Sequence, residues 1–469
     1  MTDDGAAAGP GVAQADEADR PHWRRHIVLF LGGQTVTLFG SMLVQYAVMW
    51  HIVLETGSGG MMALVAVFGF LPQAIVSVFA GVWADRHNRK YLIMGADGAI
   101  AVSTLVLAVV LMAGYYELWL IFLTLAIRSV GAGIQTPAVS AFIPQIVPTD
   151  KLMRVNGVNG AIQSGMMLLA PAAAGALYVA ASLVAIFWVD VITAAIGIAI
   201  LATISVPPLV RTFSGERPSY MADLREGVRY VAGHAFVRWF LVLFAIVFVL
   251  TVAPSYLTPL MIERSFSTGV ADTDAWLLTL LEISFSIGMV VGGLVIAVWG
   301  GMKNRITMII VSSLAFGAIS IGLGLSPNVW VFYGFMLICG LAVPFFSTPS
   351  MTILQETVEP DRQGRVFGFV GIVMAVAMPV GMLVFGPLAD IVPVEWVLIA
   401  AGILTFIVVA LAVWLPSGRR AVAAAHAASA RSDSTGAEAS AAAFAAGDTT
   451  EAEEQPSAAE ADEERTRRG

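Results

Sequence analysis

The sequence predicts an all-α membrane protein: twelve spanning helices in two parallel six-helix bundles, with the N and C termini on the cytoplasmic side. Three observations carry that expectation. Of the 469 residues 58% are hydrophobic and only 12% charged, about half the charged fraction of an ordinary soluble domain. The apolar residues gather into twelve runs, each near the roughly 20 residues that a bilayer core requires of a helix. The bases between runs are one-sided, with eighteen at one set of run ends and Arg264 alone at the other. Under the positive-inside rule the crowded side is cytoplasmic.

Along the chain, residues 1–23 come first. The first twenty hold five acids, one arginine and almost no large apolar side chain. Such a segment cannot bury enough surface to offset its ordering entropy, and it reads as a disordered acidic tail. It does not read as a cleavable signal, because the start is acidic and the apolar run after Arg25 is too long.

Residues 24–205 make the first bundle, with spans at about 27–53, 61–83, 91–113, 118–142, 157–179 and 182–205. Pro72 and Pro171 lie inside spans, where neighbouring helices re-satisfy the backbone groups that proline frees. Residues 206–236 link the halves. There Leu224, Val228, Val231 and Ala232 recur at helical spacing among Arg225, Arg229 and Arg238. That pattern fits an amphipathic helix lying on the cytoplasmic face, or equally a solvated linker helix. Residues 237–415 make the second bundle, with spans at about 237–261, 276–299, 306–325, 329–352, 366–388 (holding Pro379) and 394–415. Residues 416–469 read as a second disordered tail, rich in Ala and Glu. The two tails hold the whole of the net charge of −8, so the acidity of the chain implies no nucleic-acid partner. The single cysteine, Cys339, lies in an apolar run and reads as a small buried hydrophobe.

The two bundles repeat one another. "TPAVSAFIPQIVPTDKLMRVNG" begins at Thr136 and "TPSMTILQETVEPDRQGRVFG" at Thr348. Both place Thr-Pro inside a span, another proline eleven residues after the first, then an acid, bases and Arg-Val-x-Gly. "GVWADRHNRK", Gly81 to Lys90, follows the second span of its half, and a worn counterpart "WGGMKNR", Trp299 to Arg305, follows the eighth. Each half starts and ends inside, so the repeats are parallel, related by an axis along the membrane normal.

These motifs resemble those of a known family. Gly81, Asp85, Arg86, Arg89 and Lys90 match the loop signature of the major facilitator superfamily between its helices 2 and 3. More locally, "AIRSVGAGIQTPA", "EISFSIGMVVGGL", "GLAVPFFSTPSMTILQE" and "GRVFGFVGIVMAVAMPVG" resemble the macrolide-efflux branch of the drug–proton antiporters, over nearly all of residues 24–415. The resemblance implies a multi-pass protein of the bacterial cytoplasmic membrane that exports amphipathic drugs, of macrolide type first, by proton antiport and alternating access. Export of an endogenous metabolite such as a siderophore is the alternative on the same fold.

The resemblance also assigns roles. It makes the Gly81–Lys90 cluster a conformational latch, with Asp85 meeting the start of helix 11 near Gly364 and Arg365 when the halves close on the cytoplasmic side. It associates Arg128, about ten residues inside span 4, with proton coupling. A charge at that depth costs about 2.5–3.5 kcal/mol on insertion scales and is a functional candidate by default. Glu282, Asp190 and Asp97 are the carboxyls well inside spans, and a carboxyl taken out of water is a candidate proton site. On the family's helix map Glu282 lies near the pathway, whereas Asp190 and Asp97 fit helix packing better. The map also puts Gln34, Gln45, Tyr46, Trp50 and Phe345 on helices that face the cavity. "GMMLLAPAAAG", with Gly165, Pro171 and Gly175, resembles the antiporter signature of helix 5 and points to export by exchange.

Other chemistries have no motif. The chain holds no phosphate loop, no metal-ligand spacing among its six histidines and no Ser/His/Asp arrangement. No enzyme activity, cofactor or metal is expected. The expected partners are a small amphipathic substrate, protons and the lipid bilayer, and the chain reads as a monomer.

Overall fold

The computed structural model describes residues 22–205, 220–302, 304–415, 418–420 and 423. It does not describe the side chains of residues 81, 82, 85, 86, 220–224, 226, 227, 360, 361, 364 and 365. Both expected tails therefore lie almost wholly outside the described residues.

The first half is α1 (Trp23–Thr56), α2 (Gly59–Arg86), α3 (Arg89–Met112), α4 (Leu118–Ile146), α5 (Leu152–Ala180) and α6 (Leu183–Thr203). A linker helix, α7 (Tyr220–Gly233), follows. The second half opens with a seventh span in pieces: α8 (Ala235–Leu250), α9 (Val252–Tyr256), α10 (Thr258–Met261) and a π-helical turn at Ile262–Phe266. It continues through α11 (Ala271–Trp299), α12 (Arg305–Gly324), α13 (Val329–Thr357), α14 (Pro360–Ile391) and α15 (Val394–Trp414). Among the described residues twelve segments are long and apolar enough to cross a membrane. Most run several residues past the apolar ruler at one end or both. The fifth starts at Leu152 rather than 157 and the eleventh at Pro360 rather than 366, because polar first turns are helical without being apolar. The seventh is not one helix. Pro254 and Pro259 stand five residues apart in it, and each removes a backbone donor.

Short polar connections end the helices. Gly57 closes α1 in the left-handed region at φ 52°, and Ser58 caps α2 by accepting the Met61 N–H. The repeat is visible in the caps. Asn88 accepts the Lys90 N–H at the start of α3, and Asn304 accepts the Thr307 N–H at the start of α12. The next residue on each side then ties its helix to the following one. Arg89 donates to the Ala141 carbonyl in α4 at 2.7 Å, and Arg305 makes a two-pronged pair with Glu356 in α13.

Within the first half α1 packs on α6, α2 on α4, and α3 on both α4 and α6; within the second, α11 packs on α13 and α12 on α13 and α15. Small residues permit these approaches. A side chain at Gly197 in α6 would collide with Thr37 in α1, one at Gly340 in α13 with the Phe285 carbonyl in α11, and one at Gly402 in α15 with the Gly317 carbonyl in α12. The halves meet chiefly through α2 against α14 and α5 against α11. One face of the molecule carries the α2–α3 and α4–α5 connections and the starts of α8, α12 and α14, which bear the bases, and is the basic face. The opposite face, with the α1–α2 and α3–α4 connections, is the far face.

Candidate functional site

Glu282 sits on α11 eleven residues in from Ala271, about 16 Å along the helix from its far-face start. Tyr46 on α1 and Tyr256 at the end of α9 each lie ten residues from the far-face end of their own span. The three therefore share one depth. The Glu282 carboxyl is close enough to both tyrosine hydroxyls to interact with them electrostatically. It is half-buried and makes no hydrogen bond or ion pair among the described residues. The Tyr46 ring stands 5.8 Å from that of Trp50, whose fully buried indole N–H has no acceptor among the described residues. Tyr256 owes its place to the interrupted seventh span, and discontinuous spans mark binding sites in secondary transporters. A carboxyl and two hydroxyls thus gather at mid-depth, contributed by both halves, with the Trp50 indole one turn nearer the far face.

Arg128 and Asp190 form a second centre, inside the first half alone. Arg128 is 9% exposed and Asp190 fully buried, and the guanidinium donates through Nη1 to Asp190 Oδ2. Nη1 also donates to Thr104 Oγ1 at 2.5 Å, and Nη2 to the Ser41 carbonyl at 3.3 Å. Ser41 Oγ donates to the other Asp190 oxygen at 3.3 Å. Helices α1, α3, α4 and α6 are cross-linked by this set. Asp97, also buried, accepts from Gln135 Nε2 at 2.5 Å and ties α3 to α4. The carboxyls named from sequence are therefore placed differently: Asp190 and Asp97 each have a strong partner, and Glu282 has none. The Arg128–Asp190 pairing was not read from sequence. Its signal was there in two opposite charges at similar depth in one half.

The remaining candidates scatter. Gln45 is exposed and Gln34 half-buried. Phe345 packs beside Trp299 on α11, with ring centroids 6.3 Å apart. Gly81, Asp85 and Arg86 of the expected latch, with Gly364 and Arg365 opposite, lie outside the residues whose side chains are described. Arg89 and Lys90 hold the first half together: Arg89 reaches Ala84 and Ala141, and Lys90 Nζ donates at 2.8 Å to the Ala202 and Ile204 carbonyls that end α6.

The helix-5 signature shows how the halves close. A side chain at Gly175, near the far end of α5, would collide with Thr279 on α11. Pro171 beside it is buried, and Ser286 Oγ on α11 donates to the Met167 carbonyl on α5 at 2.9 Å. Toward the basic face the same two helices part. Gly157, Gly160 and Gly165 on α5 have nothing within 4 Å of where a side chain would start, and the same holds for Gly368 and Gly371 on α14. Leu294 and Val298 at the basic end of α11 are exposed. The halves are in contact at the far face, and toward the basic face open space lies beside α5 and α14.

Comparison with known proteins agrees with this architecture. The model of the Major Facilitator Superfamily matches residues 30–273 and 268–447. The chain is 32% identical to macrolide efflux protein A of Streptococcus pyogenes over 399 residues, covering 83% of this chain and 95% of the relative. It is 33% identical to macrolide efflux protein A of Enterococcus faecalis over 331 residues, covering 69% and 99%. A solved bacterial homologue of the human lysosomal transporter Spinster, in an inward-facing and unoccupied conformation, superposes with a TM-score of 0.59 at 16% identity, covering 87% of this chain and 97% of that one. At that identity the likeness concerns the fold alone.

Proposed function

The chain belongs to the Major Facilitator Superfamily and is a secondary transporter, not an enzyme, and on that premise we propose that it exports amphipathic drugs, macrolide-type antibiotics first, in exchange for protons. The observation that carries this reading is the partner-free carboxyl of Glu282, held between the halves at the level of Tyr46 and Tyr256. A carboxylate fixed in an ion pair cannot take up a proton without breaking the pair. One with no partner titrates at little structural cost. In its charged form Glu282 is also the natural counter-ion for a cationic group on a greasy substrate, so drug and proton compete for one site.

The efflux proteins named above support the substrate class, and the one-sided bases support an orientation with the basic face cytoplasmic. In that orientation the open side admits drug from the cytoplasm or inner leaflet. Drug binding discharges the proton inward, the halves rock, and protonation from outside expels the drug. One proton in for one cationic drug out moves no net charge, so the pH difference drives the cycle, and each unit of it supplies about 1.4 kcal/mol, a tenfold concentration ratio. Arg128, Asp190 and Asp97 stay as coupling candidates of second rank, since each has a partner to give up.

The test is energised uptake of labelled erythromycin into inverted membrane vesicles, with and without a protonophore and with Glu282→Gln. Accumulation that is protonophore-sensitive and lost in Glu282→Gln is the expected result. Accumulation that survives in the variant would keep proton-driven export and move the carrier elsewhere. No accumulation by folded, energised protein would sink the macrolide reading.

A further inference from the structure

Arg264 is the one base on the far side of the sequence, and the structure gives it a task. It stands on the π-helical turn that ends the seventh span. Its Nε and Nη2 donate to the Gly57 carbonyl at 2.9 and 2.7 Å, Nη1 donates to the Ala389 carbonyl at 2.5 Å, and Nη2 also reaches Asp390 Oδ1 at 2.6 Å. Gly57 belongs to the first half; Arg264, Ala389 and Asp390 belong to the second.

Asp390 makes the same crossing in the other direction. It lies one residue from the end of α14, yet it caps the start of α2. Oδ1 accepts the Gly59 N–H at 2.7 Å, while Oδ2 accepts the Gly60 N–H at 2.8 Å and the Ser58 hydroxyl at 2.9 Å. Those N–H groups are first-turn donors with no partner inside their own helix. A carboxylate there also meets the positive end of the α2 dipole. The backbones touch beside it: a side chain at Gly59 would collide with the Gly386 carbonyl, and one at Gly386 with the Gly59 carbonyl.

We propose that Asp390, seated by Arg264, is a state-selective clamp that holds the far face shut and releases as a unit when that face opens. Every bond from Asp390 to α2 crosses between the halves, so a separation of a few ångströms breaks them all together. Bonds present in one state and absent in the other shift the equilibrium by their full differential energy. A carboxylate bonded to N–H groups within its own half would bias neither state. Glu395 supplies that contrast on the same face: it accepts from Ser265 Oγ at 2.5 Å, inside the second half.

The clamp rests only on the alternating-access part of the proposed function, and its test needs neither substrate nor proton gradient. In a Cys339→Ala background, spin labels go on Glu117→Cys, in the far connection before α4, and Pro327→Cys, in the far connection between α12 and α13; both positions are exposed. The distance distribution between them is measured by pulsed electron resonance in lipid nanodiscs. Asp390→Asn keeps one acceptor oxygen but turns the other into a donor facing an N–H. It is expected to raise the ratio of long to short separations by about tenfold or more. Arg264→Gln should move it the same way by less, and Glu395→Gln should leave it at the parent value. If Asp390→Asn does not fold, Arg264→Gln with Ser58→Ala carries the same decision. Distributions that stay at the parent value in the clamp variants, or that move equally in Glu395→Gln, would overturn the clamp. Drug-transport results bear on neither outcome.

Discussion

At the scale of single residues, the two charged centres predict opposite kinds of failure. Arg128 and Asp190 are a buried pair, and removing one partner from such a pair strands the other, at a cost of about 3–5 kcal/mol. Arg128→Met should therefore lower thermal stability sharply in detergent, and the double variant Arg128→Met with Asp190→Leu should recover most of the loss. If the recovered double variant also transports, the pair is structural; if it is stable but silent, the pair takes part in coupling. Glu282→Gln should behave the other way. It removes no hydrogen bond, so stability should change by no more than about 0.5 kcal/mol while proton-driven accumulation disappears. Sequence supplied the depth of each of these charges but not its neighbours. Hydropathy measures distance along a helix axis. The facing of Arg128 toward Asp190, and of Glu282 toward Tyr46 and Tyr256, depends on how separate helices are rotated against one another, and no single run encodes that.

At the scale of helices, the contrast lies along α5. The site for a side chain at Gly175 is filled by Thr279, whereas that at Gly165 is open. Gly175→Val should keep the far ends of α5 and α11 apart and cut transport at least about tenfold, with partial rescue by Thr279→Ala. Gly165→Ala should transport normally and gain about 0.5–1 kcal/mol in stability from better helix propensity. Vesicle uptake and thermal unfolding read both, and equal damage from the two substitutions would contradict this account of the closure. The helix-5 motif was legible as a run of small residues, but which of them touches the other half was not. The seventh span shows the same limit. Its apolar run is unbroken, so the hydropathy ruler reads one helix, yet Pro254 and Pro259 divide it and set Tyr256 at mid-depth. The pair of prolines was the available signal, and it was masked by the tolerance that spanning helices generally show toward proline.

At the scale of the whole molecule, the halves touch at one face and part at the other, which under the proposed alternating access is one end of the cycle. The twelve runs and the internal repeat made the architecture legible, because each rests on a property of the chain alone. The closed face was not legible: it depends on close approaches at glycines, backbone to backbone at Gly59 with Gly386 and backbone to side chain at Gly175 with Thr279, and such approaches leave little trace in composition. If export requires both states, fixing this one must stop transport without stopping access from the open side. A built Cβ at Gly175 stands 2.9 Å from the Thr279 Cβ, so a movement of about 1 Å reaches the separation a disulfide requires. In a Cys339→Ala background, Gly175→Cys with Thr279→Cys should cross-link under mild oxidation. The oxidised protein should still bind labelled erythromycin in detergent, show no accumulation in energised inverted vesicles, and return on reduction to the accumulation, itself lowered by the added side chains, that the same variant shows before oxidation. Binding and transport lost together would mean the pocket itself was damaged. Transport that persists with the bond verified by mass would mean that the far face need not open at this point, and the two-bundle rocking account would fail there.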